Sequence, residues 1–262
     1  MTSPDARVHG TIGAMSTDNR DDRAASFEHA ADVYQATRPG YPDDAVRWSV
    51  PADARDVLDL AAGTGKLTER LVALGWHVVA VEPSDAMRAE LRKALPGVEA
   101  HPGTAEAMDL PDSCVDAVTI AQAWHWVDPP SASAEIARVL RPGGQVAAIW
   151  NVRDQAADWV ARWTEIVHTG DNIGGTLGYG EPQLGDRFTE VEHATFRWQH
   201  ALPARDVRRL AESRSHVILL PPDERAALLG AVDELVATHP DLRGRDVIDV
   251  PYATECYRAR LR

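Results

Sequence analysis

Short apolar runs alternate with amphipathic segments between residues 56 and 151 of the chain. Five of the runs predict strands: DVLDLA, WHVVAVE, VEAH, CVDAVTIAQA and QVAAIWN. Three intervening segments predict helices: KLTERLVALG, DAMRAELRKAL and ASAEIARVL. Apolar strands that alternate with helices are typical of a parallel sheet covered on both faces. The pattern therefore predicts an α/β fold with a doubly wound sheet.

The two flanks of this core have other patterns. Residues 1–26 are polar and predict a flexible lead-in, and residues 27–55 predict two helices with a break at PG. The segment 152–262 predicts a strand at VEHATFRWQHAL, two helices and a last strand. Since no repeat or second core pattern is visible, we expect a single domain over 27–262.

Composition narrows the possible partners. The 262 residues include 27 Lys and Arg against 40 Asp and Glu, a formal charge of −13. Such an acidic chain is a poor partner for phosphate backbones, so we expect no nucleic acid. Its two cysteines, Cys114 and Cys256, are too far apart for a zinc spacing or a disulfide framework, so no metal is expected. The sequence contains neither a membrane-length apolar stretch nor a signal-peptide pattern, which predicts a cytoplasmic protein without membrane association. We expect a monomer or a homodimer.

The stretch VLDLAAGTGKLTERL runs from a buried strand through a glycine-rich turn into a helix. Ligands of open α/β sheets lie beyond the carboxyl ends of the strands, where this turn falls. Gly63 and Gly65 would allow a ligand to approach the backbone closely, and the helix that follows offers free N–H groups. The alternative is a turn that needs glycine only for its positive φ angles.

The turn matches neither of the common phosphate-binding patterns. The phosphate loop GxxxxGK[ST] fails because Leu60 stands at its first glycine and Leu67 follows Lys66. The dinucleotide fingerprint GxGxxG lacks its third glycine, where Thr68 stands. A ligand without phosphates is therefore favoured.

Two acids flank the turn. Asp59 precedes it inside the apolar strand, where a carboxylate would repel a pyrophosphate but suit a positively charged ligand. Glu82 ends the second strand, where an acid accepts hydrogen bonds from ribose hydroxyls, although it could also be an exposed strand-end charge. A nucleoside with a cationic tail fits both acids, and S-adenosylmethionine has this chemistry.

These residues resemble the class I S-adenosylmethionine-dependent methyltransferases. VLDLAAGTG resembles the family's first motif, with Ala61 where the first glycine often stands, and VVAVEPS resembles the second. GTAEAMDLPDSCVDAV and LRPGGQVAAIWN resemble the third motif and the closing strand. YQATRPGYP and PYATECYRAR are loosely similar to a small-molecule branch that includes trans-aconitate methyltransferase. The resemblance implies a Rossmann-like sheet of seven strands, mostly parallel with an antiparallel last strand, plus C-terminal cap elements.

The resemblance also implies roles for the three parts of the domain: a helical lid over 27–55, a cofactor-binding core over 56–151, and a substrate cap with the last strands over 152–262. In the lid, Arg38 suits the methionine carboxylate of the cofactor. Thr104 stands where the family often has an Asp against the adenine. The predicted cofactor-binding residues are Tyr34, Arg38, Asp59, Ala61, Gly63, Gly65, Glu82, Pro83, Thr104, Ala105, Glu106, Ala121 and Gln122.

The fourth strand leads into AQAWHWVD, where the methyl group and its acceptor would meet. His125 is the candidate general base, although it could equally pack beside its two tryptophan neighbours. A carboxylate or thiolate acceptor needs no base, whereas an alcohol or amine can need one. The predicted substrate residues are Trp124, Trp126, Asn151, Trp159 and Tyr179, with Trp163, Ser213, Arg214 and His216 as weaker candidates.

The leading hypothesis is methyl transfer from S-adenosylmethionine to a small molecule by in-line displacement. Two alternatives stay open at this point. A non-catalytic S-adenosylmethionine-binding protein would share the pocket without the reaction. A nicotinamide-dependent oxidoreductase with a degenerate fingerprint would need a pyrophosphate beside Asp59, which speaks against it.

Overall fold

A seven-stranded sheet forms the centre of the protein. The computed structural model describes residues 38–169 and 180–262. The sheet strands are β1 (Asp56–Leu60), β2 (His77–Val81), β3 (Glu99–His101), β6 (Val115–Ala121), β7 (Leu140–Arg153), β8 (Glu192–Pro203) and β9 (Val247–Arg260). A separate hairpin consists of β4 (Gly103–Thr104) and β5 (Ala107–Met108).

The strand order is β3-β2-β1-β6-β7-β9-β8. β3, β2, β1, β6 and β7 pair in parallel, and β9 runs antiparallel to both β7 and β8. The predicted sheet of seven strands, mostly parallel with an antiparallel last strand, is confirmed. The order reverses between β1 and β6, so the switch point of the sheet lies there.

Helices cover the sheet and its C-terminal extension. They are α1 (Asp43–Ser49), α2 (Lys66–Ala73), α3 (Asp85–Ala94), α4 (Pro129–Val139), α5 (Asp158–Val167), α6 (Asp206–Glu212), α7 (Ser215–Leu219) and α8 (Pro222–Thr238). Ser84 caps α3, since its hydroxyl accepts the Met87 N–H over 3.3 Å. Across the described ranges, no helix combines the length and apolar character needed to cross a membrane.

Alternating strand residues build two apolar layers, one on each face of the sheet. Val57 packs with α1 and α2, whereas its neighbour Leu58 packs with α4. The same alternation separates Ile149 from Trp150 in β7. Because successive strand side chains point to opposite faces, a continuous apolar run produces both layers.

A third apolar cluster joins α5, α6 and α8 to β8 and β9. Trp163, Val232 and Val250 are buried in it. This cluster is separate from the two layers on the parallel strands, and it lies beyond the carboxyl end of β7, beside the place where ligands bind in such sheets.

Two sequence predictions about local structure are wrong. The fifth strand, predicted over QVAAIWN, begins earlier, because β7 already starts at Leu140 and RPGG forms a bulge against β6. There Gly144 has no room for a side chain, because a Cβ would lie 2.9 Å from two carbonyl oxygens. The fourth strand also ends earlier than predicted, at Ala121, and Trp124–Trp126 form a 3₁₀ turn.

Candidate cofactor and substrate site

The carboxyl ends of β2, β1 and β6 lie side by side at the switch point. β1 pairs with β2 on one side and with β6 on the other, so Asp59 lies opposite Ala80 and Thr119. The residues that follow these three strands therefore meet at one edge of the sheet. Most of the predicted cofactor-binding residues are brought together here.

The glycine turn has a left-handed backbone at three positions. Ala61, Gly63 and Gly65 have φ angles of 55°, 57° and 89°. A Cβ on Gly65, the residue that caps α2, would lie 3.0 Å from Leu91 Cγ, so this glycine serves close packing. A Cβ on Gly63 would meet nothing within 4 Å. Gly63 therefore borders open space, as a ligand-facing glycine should.

Glu82 is held at the mouth of this turn. Its Oε2 accepts the Gly63 N–H over 2.8 Å, and its Oε1 accepts the Ser84 N–H over 2.9 Å. Burial raises the pKa of the Glu82 carboxyl, and the two N–H donors oppose that rise. Each carboxylate oxygen has a further lone pair, so the group can accept a vicinal diol such as that of a ribose. Beside it, the Pro83 carbonyl accepts a hydrogen bond from Arg88 Nη1 over 2.8 Å.

Asp59 lies beneath the turn rather than at its mouth. It is 1% exposed, and its Oδ2 accepts the Thr68 hydroxyl over 2.6 Å. Its Oδ1 is buried without a hydrogen-bond partner among the described residues. Burial raises the pKa of Asp59 to about 7, and the charge of Glu82 adds to the rise. In its ionised form, Asp59 can therefore attract a bound cation, either directly across space or through a polar group that lies between them.

The β4–β5 hairpin carries the third predicted group of cofactor residues. Thr104 is exposed, whereas Ala105 is buried. Glu106 Oε1 accepts the Asp128 N–H over 2.8 Å, which links the hairpin to the start of α4. The structure thus gives Glu106 a positioning contact, and its predicted role toward the adenine stays a prediction.

β6 ends in a strained residue. Gln122 has a φ of 58°, uncommon for a residue with a side chain, and it follows Ala121 directly. Its N–H donates to the Ile149 carbonyl over 2.8 Å, and its Nε2 donates to the Asn151 carbonyl over 3.2 Å. These bonds hold Gln122 in the unusual conformation, a feature that concentrates at functional sites.

A cleft opens beyond Gln122, where the segment before α1, helix α5 and the α6–α7 connection all contribute to its lining. It encloses about 740 Å³ of empty space, counted with its open mouth. The lining residues are Arg38, Pro39, Tyr41, Lys66, Gln122, Asn151, Val152, Arg153, Gln155, Thr164, His168, Arg214 and Tyr252. We call this space the cleft. None of these described lining residues is acidic.

Asn151 ties the edge of the cleft together. Its Nδ2 donates to the Gly40 carbonyl over 2.9 Å, and its Oδ1 accepts the Thr254 hydroxyl over 2.7 Å. Thr254 in turn accepts from Trp198 Nε1 over 2.9 Å. One side chain therefore connects the N-terminal segment to β7, β8 and β9. Arg38 makes a second such connection, since its Nε and Nη2 donate to the Ser213 hydroxyl and carbonyl, each over 3.1 Å.

The predicted aromatic and catalytic residues lie away from this lining. Trp124 and Trp159 are each 7% exposed within apolar clusters. The His125 ring lies against Trp126, with 4.7 Å between centroids and a 44° tilt. None of these four side chains lines the cleft, and their roles toward a substrate stay predictions. Tyr34 and Tyr179 lie outside the described residues.

Sequence reasoning missed several residues of the cleft. Lys66 was considered only as part of a failed phosphate-loop pattern, although it is the first residue of α2 beside the turn. Arg153 follows Asn151 by two positions in a strand and therefore shares its face, which is the signal that identifies it. His168, just after α5, carried no signal in the sequence.

Known proteins are similar to this chain in both sequence and fold. The family described as "Methyltransferase domain" matches residues 58–148. A protein of Mycobacterium tuberculosis, named as an uncharacterized methyltransferase, is 46% identical over 246 residues, which are 94% of this chain and 99% of that protein.

Solved structures agree on the fold. A candidate type II methyltransferase from Anaeromyxobacter dehalogenans superposes with a TM-score of 0.61 at 24% identity, covering 85% of this chain and 97% of that one. A phosphoethanolamine N-methyltransferase of Haemonchus contortus, solved with phosphomonomethylethanolamine and S-adenosylhomocysteine, gives 0.52 at 14% identity, covering 95% and 60%. At such identities the likeness shows the fold alone.

Proposed function

This chain belongs to the class I S-adenosylmethionine-dependent methyltransferases, and from that premise we propose that it methylates a small-molecule acceptor by in-line displacement. The observation that carries the proposal is the position of Glu82. Its carboxylate is oriented by the Gly63 and Ser84 N–H groups. It lies at the same edge of the sheet as the end of β6, where Gln122 begins the lining of the cleft.

The cofactor fits the residues present. Open space borders Gly63, the Glu82 carboxylate has lone pairs to spare, and a buried Asp59 lies below the turn. We propose that Glu82 accepts the two ribose hydroxyls and that ionised Asp59 favours the positive charge of the bound cofactor. When bound, S-adenosylmethionine supplies a methyl group already activated on a sulfonium centre.

The work left to the protein is positioning and exclusion of water. Gln122, which lines the cleft, is held in place by two hydrogen bonds. Asn151 and Arg38 fasten the segment before α1 over the cleft. Alignment of two reactants by such contacts can supply about 7–11 kcal/mol of a barrier. His125 remains the candidate base for an acceptor that must lose a proton.

The shape of the cleft supports a small acceptor. Its lining comes from separate stretches of the chain, namely the segment before α1, the start of α2, the ends of β6 and β7, the α5 helix, the α6–α7 connection and β9. Convergent linings of this kind enclose small ligands, whereas a macromolecular substrate needs an extended surface. The net charge of −13 also disfavours a nucleic-acid acceptor.

A labelled-methyl experiment tests the proposal. The full chain is incubated with S-[methyl-³H]adenosylmethionine in three parallel reactions. Each reaction contains one fraction of a cell extract: the small-molecule filtrate, the protein or the RNA. We expect label only in the filtrate, in a product that mass spectrometry shows to be heavier by one methylene. Label confined to protein or RNA would contradict the small-molecule acceptor. Cofactor binding by calorimetry without label in any fraction would point to the non-catalytic alternative.

A further inference from the structure

A histidine of β8 lies beside the cleft. β7 and β8 both run antiparallel to β9, so their carboxyl ends lie at the edge of the sheet where ligands bind. His200 is near that end of β8, opposite Val250 of β9. The centroid of its ring is 6.4 Å from that of Tyr252, which lines the cleft. His200 is therefore next to one wall of the cleft.

Lys66 connects His200 to the cofactor turn. Lys66 lines the cleft and directly follows Gly65, the last residue of that turn. Burial lowers the pKa of the His200 imidazole, and the positive charge of Lys66 lowers it further. Because the effect of a charge fades with distance, the two side chains are close to one another. The imidazole therefore lies near the residue at which the cofactor turn ends.

His200 has the properties of a proton acceptor. Its lowered pKa keeps the ring neutral at pH 7, where an ordinary histidine is partly charged. In the described part of the chain nothing hydrogen bonds to the ring, and its titratable neighbours are Tyr252 of β9 and Lys66 of α2. His193 of the same strand differs, since its Nε2 is paired with the Glu255 carboxylate over 2.6 Å. A neutral imidazole of this kind can take a proton from a ligand.

Building on the function proposed above, we propose that His200 receives a proton from the acceptor during methyl transfer and that the acceptor atom is a hydroxyl oxygen. The oxygen attacks the methyl carbon, and the new C–O bond forms as the S–C bond breaks with its electron pair left on sulfur. The hydroxyl proton moves to a ring nitrogen of His200, so the products are a methyl ether, S-adenosylhomocysteine and an imidazolium. The charge of Lys66 then favours release of the proton from the imidazolium to water, because like charges repel.

The charge of Lys66 distinguishes between classes of acceptor. Among the described residues Lys66 has no hydrogen bond or ion pair, and Glu69 acts on it only through space. A positive charge beside the cleft stabilises an oxygen that is losing its proton, and it repels an amine, which is itself a cation at neutral pH. A carboxylate acceptor has no proton to lose and would leave His200 without a role. An alcohol, a phenol or an enol fits both residues.

His125, the base predicted from the sequence, is the competing candidate. Neither histidine is itself a lining residue of the cleft. His200 has the lining residue Tyr252 against its ring and the lining residue Lys66 within reach of its charge. The ring of His125 lies against Trp126, which does not line the cleft. The surroundings of the two rings therefore favour His200.

Titration of the histidines by NMR tests the inference without any acceptor. The full-length chain is saturated in turn with S-adenosylmethionine and S-adenosylhomocysteine, which differ by the methyl group and the positive charge at sulfur. The Cε1–H signals of His125, His193 and His200 are assigned from their Gln variants. We expect the pKa of His200 to be lower by about 0.5 with S-adenosylmethionine, and that of His193 to be the same with both. Equal values for His200, or a response of His125 alone, would overturn the inference.

A kinetic experiment tests the proton transfer itself. At pH 7 and saturating cofactor, His200→Gln should form labelled product from the small-molecule filtrate about a hundredfold more slowly than the natural chain. The natural rate should rise with pH through the pKa of His200 and then level off, whereas the variant should lack this rise. His193→Gln is the matched control on the same strand and should keep both the rate and the profile. A slower variant that keeps the natural pH profile would show a structural role and overturn the inference.

The labelled product separates this inference from the proposed function. A labelled small molecule that His200→Gln forms at the natural rate, or a label on nitrogen or in a carboxylate ester, would refute the inference and leave the proposed function intact. Absence of label from every small molecule, together with unequal pKa values of His200 in the two cofactor complexes, would refute the proposed function and leave the placement of His200 intact.

Discussion

The Thr68 hydroxyl donates a hydrogen bond to Asp59 Oδ2 over 2.6 Å, and both side chains are buried. Thr68 occupies the position at which a dinucleotide-binding turn has its third glycine. A glycine there would leave the Asp59 carboxylate without this donor. The same substitution that removes the dinucleotide fingerprint therefore stabilises an acid beneath the turn, which links the choice of cofactor to the packing of β1 against α2.

Removal of that hydroxyl should weaken the folded state. Thr68→Val keeps the shape of the side chain and deletes the donor, so we expect a loss of about 1–3 kcal/mol in the free energy of unfolding, measured in urea at a pH above 7. Thr195→Val is the matched control, because Thr195 donates to the Glu255 carboxylate at an exposed site and should change stability by less than about 0.5 kcal/mol. Equal losses at both sites would argue against a special role for the buried pair.

Cofactor affinity should depend on pH through Asp59. Its pKa is raised to about 7, so the neutral form dominates below that pH and the carboxylate above it. A cation binds the carboxylate better, and affinity for S-adenosylmethionine should therefore rise as the pH increases through about 7 and then level off. In Asp59→Asn the affinity should stay at the low-pH value of the natural chain, as followed by calorimetry. A pH-independent affinity in the natural chain would refute this role.

Glu82→Gln should weaken cofactor binding by about tenfold to a hundredfold. The amide keeps the shape but loses the charge, and its NH₂ group cannot accept from the one N–H, of Gly63 or Ser84, that it faces, so the ribose contact on that side is weakened as well. Glu99→Gln makes the same chemical change on an exposed residue of the neighbouring strand β3 and should leave affinity unchanged. Comparable affinities for the two variants would remove Glu82 from the binding site.

Two glycine substitutions should have opposite effects on stability. Gly65→Ala forces a side chain into a left-handed position, 3.0 Å from Leu91 Cγ, and we expect a loss of about 1–3 kcal/mol. Gly230→Ala lies in the exposed middle of α8 with open space around its Cβ, and should gain about 0.5–1 kcal/mol. Thermal unfolding measures both. A gain at Gly65 would show that the turn relaxes without cost.

Asn151→Ala should loosen the segment before α1. The variant leaves the Gly40 carbonyl and the Thr254 hydroxyl without their partner, and we expect a loss of about 1–3 kcal/mol in urea unfolding. Gln199→Ala, an exposed amide on β8, serves as the control and should change stability by less than about 0.5 kcal/mol. If Asn151 instead served only the substrate, stability would be unchanged and only KM would rise.

The parts of the fold that follow local patterns were predictable. Alternation of residues such as Val57 and Leu58 predicts which layer each joins, because strand geometry sends neighbours to opposite faces. The end of the apolar run likewise predicts Glu82 at the carboxyl end of β2, which it directly follows, although its ligand contact stays a prediction. The bulge at Gly144 could not be foreseen, since it arises from the register that β6 imposes on β7.

The amino-acid sequence by itself determined the strand–helix alternation, the acids at the strand ends and the glycine turn, because each depends on periodicity over a few residues. The tertiary structure alone decided which distant side chains meet. Arg38 and Ser213 are 175 residues apart in the chain and yet hydrogen bonded, and Arg38, Arg153 and Arg214 line one cleft. Local pattern carries no information about such meetings, since the packing of α5, α6 and α8 against β8 and β9 brings those segments together.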